Sequence, residues 1–315
     1  MNLIYMAKPI YGGWVTFTAH LCLKHNCNLF KIGKKTEKNK RKFGYNVEYQ
    51  NTKIEELIQK PNLLVTAVDK HYWEYLDLLP DGTRIVVHDP TELKGKDNNL
   101  VKNINRFDVI TIRKTVQEFL ENTYQIHSIF LIHPFFEYPL YTIKDNYNYH
   151  ALSISRIDFD KHTDWILEAN LILPEDKKIQ IFGAENRLYV HHKLKELHFH
   201  DYWHGKFPKT LPLSHDNKDL LTCCNYIVDM SIIKGDGGGT QYTFLEAIYQ
   251  DCALVLHKEW VEQGDTFKDK YNCYVVGYTD DVGKEIADIL MKPVDEKILQ
   301  NAKLLLKDHI DVNYL

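Results

Sequence analysis

Short apolar runs alternate with helical patterns along nearly the whole chain of 315 residues. The first example is an apolar run at 2–6, a turn that contains Gly12 and Gly13, and apolar residues at helical spacing over 14–23. Parallel strands need a crossover of this kind, because a helix has to return the chain to the start of the next strand. The alternation therefore predicts an α/β fold with parallel sheets that carry helices on both faces.

The same pattern predicts two series of elements. In the first series we expect strands at 63–68, 84–88, 108–112 and 128–132, with helices at 72–79 and 116–122. In the second series we expect strands at 151–155, 179–182, 198–203, 226–230, 253–256 and 274–276, with helices at 162–173, 187–197, 282–291 and 295–308 and another after Thr240. Between the series, residues 134–149 carry two prolines and no clear period. We therefore predict two Rossmann-like domains, 1–147 and 148–315.

The composition narrows the class of protein. A formal net charge of −4 excludes a globally basic surface, so a polyanion would have to bind a local patch. The six cysteines form neither C-x-x-C pairs nor a compact framework, which is typical of reduced, buried cysteine. No run of about 18 apolar residues and no signal-peptide pattern is present. These features predict a soluble cytoplasmic protein.

Three consecutive glycines precede a helical pattern in the second half of the chain. Gly237, Gly238 and Gly239 are followed by Thr240 and by apolar residues at helical spacing, among which lies Glu246. Glycine lets the backbone approach a ligand closely, and a helix start offers unpaired N–H groups and a positive dipole end. We expect an anion here, with Glu246 placed to accept hydrogen bonds from sugar hydroxyls, as in a nucleotide. The alternative is a flexible loop before an ordinary helix.

A basic run lies between residues 31 and 42, with seven basic residues and one acid. It is either a solvated loop or an arm that contacts the phosphates of a nucleic acid. The second interpretation makes the following residues candidates for binding: Lys34, Lys35, Lys38, Lys40 and Arg41.

His88 and Asp89 follow the apolar run of the predicted strand at 84–88. Open α/β sheets bind ligands at the carboxyl ends of their strands, so this pair is a candidate for chemistry. A metal site is not expected. The histidines between 191 and 204 lack paired cysteines or acids at ligand spacing, and the turn at Gly12 and Gly13 lacks the G-x-G-x-x-G pattern of dinucleotide sites.

The segment from Ser155 to Lys161, SRIDFDK, resembles the Arg-to-Lys loop by which retaining GT-B glycosyltransferases hold the donor pyrophosphate. Gly183 and His204 resemble that family's positions beside the nucleotide base. The resemblance implies two Rossmann-like domains that face each other across a cleft, with the acceptor bound by 1–147 and the nucleotide-sugar donor by 148–315. It also implies that Arg156, Lys161 and the helix start after the glycines stabilise the leaving diphosphate without a metal cofactor.

Within that family, three further segments resemble the DNA α-glucosyltransferases of T-even bacteriophages. They occur in the same order over most of the chain: GWVTF from Gly13, VVHD from Val86 with FDVIT from Phe107, and YTFLE from Tyr242. The resemblance implies that His88 and Asp89 are catalytic and that Glu246 holds the donor ribose. The family commonly has two acids separated by seven residues, whereas nine residues separate Asp236 from Glu246 here.

Together these features predict a retaining hexosyltransferase that moves glucose from UDP-glucose to a hydroxymethylated pyrimidine, such as hydroxymethylcytosine, in DNA. Gly12 and Gly13 would then join the basic run in binding the acceptor. We expect a monomer that requires no metal and does not associate with membranes. Two alternatives remain open, namely the same chemistry on a glycan or lipid acceptor, as in capsule or lipopolysaccharide synthesis, and a noncatalytic module that binds nucleotide sugars or nucleic acids.

Overall fold

The computed structural model describes residues 1–9, 12–33, 43, 47–89, 93, 101, 103–139, 149–206, 221, 224–233, 235 and 237–314. These residues form two compact units, Met1–Glu137 together with His309–Leu315, and Tyr138–Asp308. The predicted boundary between residues 147 and 148 lies outside the described part of the chain. The prediction placed the C-terminal residues in the second domain, whereas His309–Leu315 group with the first unit.

The first unit contains a parallel sheet of seven strands. In chain order they are β1 (Asn2–Met6), β2 (Asn28–Ile32), β3 (Gln50–Thr52), β4 (Leu63–Val68), β5 (Arg84–Val87), β6 (Asp108–Thr111) and β7 (Ile129–Phe130). Their order across the sheet is β3-β2-β1-β4-β5-β6-β7. The central strands are buried almost throughout, as expected for parallel strands with both faces covered.

Two of these strands, β2 and β3, are absent from the sequence prediction. They flank the basic run, and its first lysine belongs to the sheet: Lys31 lies in β2 and is only 9% exposed. Its ammonium lies 5.0 Å from the ring centroid of Tyr5 and 5.7 Å from that of Tyr49. Lys31 is therefore not part of a solvated loop, because it lies in the sheet and its ammonium packs against aromatic rings.

The first unit's described helices are α1 (Gly13–His25), α2 (Ile54–Leu57) and α3 (Lys114–Tyr124), with 3₁₀ turns at Trp73–Leu78 and Ile104–Arg106. Helix α1 is buried from Val15 to Cys22, polar residues included. These polar side chains find partners, since the Thr18 hydroxyl donates to the Trp14 carbonyl oxygen at 2.8 Å and the Phe136 N–H donates to His20 Nδ1 at 2.9 Å.

Lys24 makes several of the bonds that join the C-terminal segment to the rest of the first unit. Lys24, at the end of α1, donates to the carbonyl oxygens of His309 at 3.3 Å, Ile310 and Val312. Carbonyls at a helix C-terminus lack intrahelical partners, and the ammonium provides a donor to those of His309 and Ile310 and to Val312 just beyond the helix. The hydroxyl of Tyr314 adds a bond to the Ile132 carbonyl oxygen at 2.9 Å.

The second unit contains a parallel sheet of five strands, in the order β12-β11-β10-β8-β9. The strands are β8 (Tyr149–Ile154), β9 (Ile179–Phe182), β10 (Cys224–Asp229), β11 (Ala253–His257) and β12 (Tyr274–Val276). The described helices are α4 (Thr163–Ile172), α5 (Arg187–Tyr189), α6 (Phe199–Tyr202), α7 (Tyr242–Tyr249), α8 (Lys258–Val261), α9 (Val282–Leu290) and α10 (Glu296–Asp311). Among the described residues, no helix combines the length and apolar character needed to cross a membrane.

The predicted strand at 198–203 is wrong, because Phe199–Tyr202 is a helical turn and only Trp203 bridges to the sheet, at Ile181. The segment is rich in aromatic residues, which favour strands. The helix predicted at 187–197 is present but irregular, since α5 continues into a π turn at Val190–Leu194 and a 3₁₀ turn at Lys195–Leu197.

Gly183 marks the closest backbone approach at the carboxyl edge of the second sheet. A Cβ atom at this position would overlap the carbonyl oxygen of Ser155, in the loop that follows the neighbouring strand. The Gly183 N–H donates to the Gly205 carbonyl oxygen at 2.8 Å, so the backbone cannot move away without losing that bond. The absence of a side chain at Gly183 therefore sets the path of the Ser155 loop.

We predict that Gly183→Ala destabilises the second unit by about 1–3 kcal/mol or more, because the added methyl group meets backbone atoms that cannot rotate away. Gly13→Ala is the matched control, since a Cβ there meets nothing within 4 Å. The urea midpoint of each variant measures the effect. Equal midpoints for Gly183→Ala and the wild type would contradict the proposed constraint.

Candidate functional site

The strand order of the second sheet reverses between β8 and β10. From β8 the chain moves to β9 on one side, and from β10 it moves through β11 to β12 on the other. The two strands pair directly, with Ala151 beside Tyr226. Loops that leave the carboxyl ends of such strands diverge and open a crevice, where open α/β sheets bind ligands. The segment after β8 and the segment after β10 therefore line the candidate site.

The segment after β8 carries Arg156 in a local network of ion pairs. Its guanidinium lies 3.1 Å from the carboxylate of Asp158 and 3.2 Å from that of Asp160. The Arg156 side chain is 63% exposed, so these bonds are weak and exchangeable. An anionic ligand with several oxygens could take over the same N–H groups.

Asp158 orders this loop. Its carboxylate accepts from the Phe159 N–H at 2.9 Å and from the Asn186 amide at 2.9 Å, and it begins the 3₁₀ turn Phe159–Lys161. Burial alone raises the pKa of Asp158, but these hydrogen bonds and the charges of Arg156 and Lys161 together lower it below its ordinary value. The carboxylate is thus ionised at neutral pH and holds the loop at its start.

Lys161 lies at the other end of the loop and is buried, with 7% of its surface exposed. Its ammonium donates to the hydroxyl of Ser231 at 2.7 Å. Ser231 follows the end of β10, and its N–H donates to the Asp229 carboxylate at 2.9 Å. The Ile232 N–H donates to the carbonyl oxygen of Asp160 at 2.9 Å, so the two loops are also joined through their backbones. A buried positive charge therefore stands at the point where the strand order reverses.

The glycine segment packs against a turn of its own chain. The side-chain oxygen of Gln263 accepts from the N–H groups of Gly235 at 2.8 Å and Gly237 at 3.3 Å. A Cβ at Gly238, where φ is +78°, would overlap the backbone of Gln263 and Gly264. Close packing against backbone thus accounts for the absence of a side chain at Gly238, whereas a Cβ at Gly237 would meet the end of the Gln263 side chain. Their contact with a donor stays a prediction.

Helix α7 begins directly after this segment. Its N-cap is Gln241, which makes no side-chain capping bond, and no acidic residue lies in the first turn. Thr240 just before it is buried, and Glu246 lies half-buried in the second turn. A helix start without an acidic residue or a side-chain cap favours binding of an anion, because its N-terminal N–H groups carry partial positive charge.

The residues predicted to flank the base lie together beside β9. The His204 ring stacks on the Phe182 ring with centroids 5.1 Å apart, and His204 Nε2 lies 2.7 Å from the amide oxygen of Gln180. Burial lowers the pKa of His204, so the ring is neutral at pH 7. The Trp203 indole N–H donates to the Gly183 carbonyl oxygen at 3.0 Å, which fixes this turn against the strand end.

The first unit has its own reversal of strand order, between β1 and β4. After β1, Gly12 caps α1 with φ of 102°, a conformation that glycine tolerates, and its carbonyl oxygen accepts from Thr16 N at 3.0 Å. After β4, the Asp69 carboxylate accepts from the Lys8 N–H at 2.7 Å and the His71 N–H at 2.8 Å. Gly13, the first residue of α1, has open space on its side-chain face.

His88 lies at the carboxyl end of β5 and is buried. Its Nε2 atom lies 2.7 Å from the Thr66 carbonyl oxygen, which can only accept, so the ring donates there and Nδ1 is the acceptor of the neutral ring. Burial lowers the pKa of His88 to about 4, and the positive charge of Arg113 lowers it further. The hydrogen bond to the Thr66 carbonyl and the charge of Asp89 raise it, but by less. His88 is therefore neutral at pH 7 and cannot act as an acid through Nδ1.

Arg113 is a neighbour of Asp89 that sequence reasoning did not identify. The register pairs Val87 with Thr111, so Asp89 and Arg113 both lie two residues past the last paired positions of adjacent strands. Burial lowers the pKa of Arg113 to about 10, and the charge of Asp89 opposes that shift. The carboxyl edge of the first sheet thus carries the neutral ring of His88, the carboxylate of Asp89 and the guanidinium of Arg113.

Sequence reasoning missed Asp69, Arg113 and Ser231 for a common reason. Each is the polar residue that follows an apolar strand, at most two positions beyond its end. The strands themselves were predicted, so listing the first polar residue after each would have found all three. Gln263 gives no such signal, because it lies beyond the short helix α8.

Some candidates lie outside the described residues, namely Lys34, Lys35, Lys38, Lys40, Arg41 and Asp236. Their roles stay predictions. In the described part of the chain, no three histidine, cysteine, aspartate or glutamate side chains form a group that could hold a metal ion.

No protein-family model matches the sequence, and no curated protein matches it. Solved structures match nearly the whole chain. Anabaena HepE, solved with UDP and glucose, is 13% identical with a TM-score of 0.66, over 99% of this chain and 96% of that one. A glycosyltransferase from Rickettsia africae is 13% identical with a TM-score of 0.67, over 98% and 94%. Sucrose-phosphate synthase from Thermosynechococcus elongatus is 11% identical with a TM-score of 0.65, over 98% and 94%.

At these identities the likeness establishes the fold. The chain has the two-domain α/β architecture of these proteins, and the predicted GT-B fold class with two Rossmann-like domains is confirmed.

Proposed function

We propose that this protein is a retaining glycosyltransferase that uses a UDP-linked hexose, with UDP-glucose as the donor. The observation that carries the proposal is the buried ammonium of Lys161, which stands between the ends of β8 and β10 and bonds to Ser231 at 2.7 Å. The Asp158 carboxylate interacts with this charge, and an anionic ligand would add further negative charge next to it. A nucleoside diphosphate supplies that charge.

The solved relatives support the choice of donor. Anabaena HepE has been solved with UDP and with UDP-glucose, and it matches this chain from end to end. By this proposal Glu246, in the second turn of α7, accepts hydrogen bonds from the ribose hydroxyls, and the turn at Gly183 and His204 borders the base.

The leaving diphosphate gains charge as the glycosidic bond breaks, so groups that stabilise it act most strongly in the transition state. Arg156, Lys161 and the start of α7 behind Gly239 and Thr240 supply that stabilisation. Two cations and a helix N-terminus give the electrostatic effect for which other transferases use a divalent metal, so we propose that the reaction requires none.

The proposed acceptor side lies in the first unit. Asp89 orients or deprotonates the acceptor hydroxyl, or stabilises positive charge at the anomeric carbon. His88, neutral and with Nε2 bonded to Thr66, hydrogen-bonds the sugar or the leaving group. No enzyme nucleophile is assigned, so retention would follow from displacement on one face, with the leaving phosphate taking the acceptor proton.

The proposed acceptor is a hydroxymethylated pyrimidine in DNA. This choice rests on the ordered segments that resemble those of phage DNA glucosyltransferases and on the basic residues 34–41. A glycan or lipid acceptor is the alternative, because the names of the structural neighbours identify no acceptor for this chain. A noncatalytic module is the third candidate, and slow hydrolysis of UDP-glucose by the protein would rule it out.

Removing a donor-side cation should weaken UDP binding. Lys161→Met and Arg156→Ala each delete a charge-assisted hydrogen bond to the diphosphate, with an expected loss of about 1.5–3 kcal/mol in binding free energy. Isothermal titration calorimetry with UDP measures it. Lys177→Met is the matched control, because Lys177 precedes β9 at the opposite edge of the sheet and bonds to the Met291 carbonyl oxygen. Unchanged UDP affinity in both variants would refute the donor site.

Asp89→Asn should lower kcat by about a hundredfold or more while UDP affinity stays within twofold. The carboxylate's proposed interactions belong to the transition state, whereas the nucleotide binds in the second unit. Initial rates of UDP release, together with calorimetry, separate the two effects. A parallel fall in UDP affinity would move Asp89 into the donor site and overturn its assigned role.

Neutralising the basic residues between 34 and 41 should test the DNA acceptor. Replacing Lys34, Lys35, Lys38, Lys40 and Arg41 by glutamine should weaken duplex binding and flatten its dependence on salt, since fewer counterions are released. Hydrolysis of UDP-glucose should not change. Equal DNA affinity of variant and wild type, or transfer only to free sugars or lipids, would favour the glycan and lipid alternative.

A further inference from the structure

The amide of Gln263 joins the glycine segment to the turn after α8. Its oxygen accepts from the N–H groups of Gly235 at 2.8 Å and Gly237 at 3.3 Å, and its nitrogen donates to the Glu259 carbonyl oxygen at 2.6 Å. One side chain thus holds two N–H groups of the segment and is itself fixed to α8.

The turn that presents Gln263 is anchored in the core. Trp260 is 1% exposed, and its indole N–H donates to the Gly239 carbonyl oxygen at 3.2 Å. The Trp260 ring packs edge-on against Phe244 of α7, with centroids 5.9 Å apart. The turn therefore contacts the glycine segment at Gly235, Gly237 and Gly239, and contacts the helix that follows it.

The backbones of the segment and the turn pack closely. A Cβ at Gly237 would overlap the Gln263 amide, and a Cβ at Gly264 would lie 2.7 Å from the Gly238 carbonyl oxygen. Glycine at positions 238 and 264 therefore allows the two backbones to approach this closely.

Backbone N–H groups that point to one spot can bind an anion there. The Gln263 oxygen accepts from two such N–H groups and so holds them in the same orientation. A neutral amide does so without bringing a charge that would repel an anionic ligand. The backbone is then already ordered before a ligand binds. Binding therefore does not have to pay the entropy of ordering this backbone, and the affinity is higher.

We propose that Gln263 is a positioning residue, which preorganises the glycine segment so that the start of α7 meets the diphosphate of the donor. The inference rests on the proposed UDP-sugar site. Gln263 does not contact the donor in this account but acts through the backbone from Gly235 to Gly239.

Gln263→Met tests it, because methionine keeps the volume of the side chain and removes both the acceptor and the donor. We expect UDP affinity to fall about tenfold, as for the loss of about one net hydrogen bond, while affinity for uridine, which lacks phosphates, stays unchanged. In the ligand-free variant, hydrogen exchange should become faster in the peptide that contains Gly235 and Gly237.

Asn301→Ala is the matched control, because it removes a side-chain bond to the Tyr271 carbonyl oxygen on the surface of the same unit, 3.0 Å long. It should leave UDP affinity and exchange of the glycine segment unchanged. Equal losses for UDP and uridine in Gln263→Met, or unchanged UDP affinity, would overturn the inference while the donor site stands. If the wild type bound no UDP, the donor proposal would fail, and unchanged exchange would then independently refute the ordering role.

Discussion

The bond between Lys161 and Ser231 joins the two loops on which the candidate donor site depends. It places a buried positive charge where the second sheet reverses its strand order, and the backbone bond from Ile232 to Asp160 holds the same loops together. The Ser231 hydroxyl accepts a hydrogen bond from the ammonium, and the Asp158 carboxylate interacts with its charge. Because Arg156 and Lys161 lie in the same loop, that loop can offer two cations to an anionic ligand.

Backbone packing sets the geometry around that charge. Gly183 lets the Ser155 loop approach β9, and Gly238 lets the glycine segment approach the turn at Gln263 and Gly264. Both close approaches are possible because the residue at the contact is glycine and has no side chain. Contacts within the chain fix the paths of these loops at the carboxyl edge of the second sheet. The positions of the loops therefore depend little on a bound ligand.

The sequence predicted the central strands well, because parallel strands buried on both faces appear as continuous apolar runs. It missed β2 and β3, of which β3 is a three-residue strand with the polar sequence QNT, and it failed at 198–203, where the aromatic residues belong to a helical turn. Local periodicity carries little information over so few residues.

The candidate site was predicted where a motif exists and missed where only the fold brings residues together. Arg156 and Lys161 are five positions apart in one loop, so their pattern is visible in the sequence. Arg113 reaches Asp89, and Ser231 reaches Lys161, only through the pairing of strands that are distant in the chain. The glycine run was interpreted as either a ligand contact or a flexible loop. Packing against the backbone of Gln263 and Gly264 accounts for Gly238, and contact of the run with a ligand stays a prediction.

A crystal structure of the protein with UDP tests the central claim most directly. The account predicts that the diphosphate lies at the start of α7 within hydrogen-bond distance of the Lys161 ammonium, and that Arg156 turns from Asp158 and Asp160 toward it. A diphosphate bound away from the ends of β8 and β10, with the Lys161 and Arg156 contacts unchanged, would contradict the account.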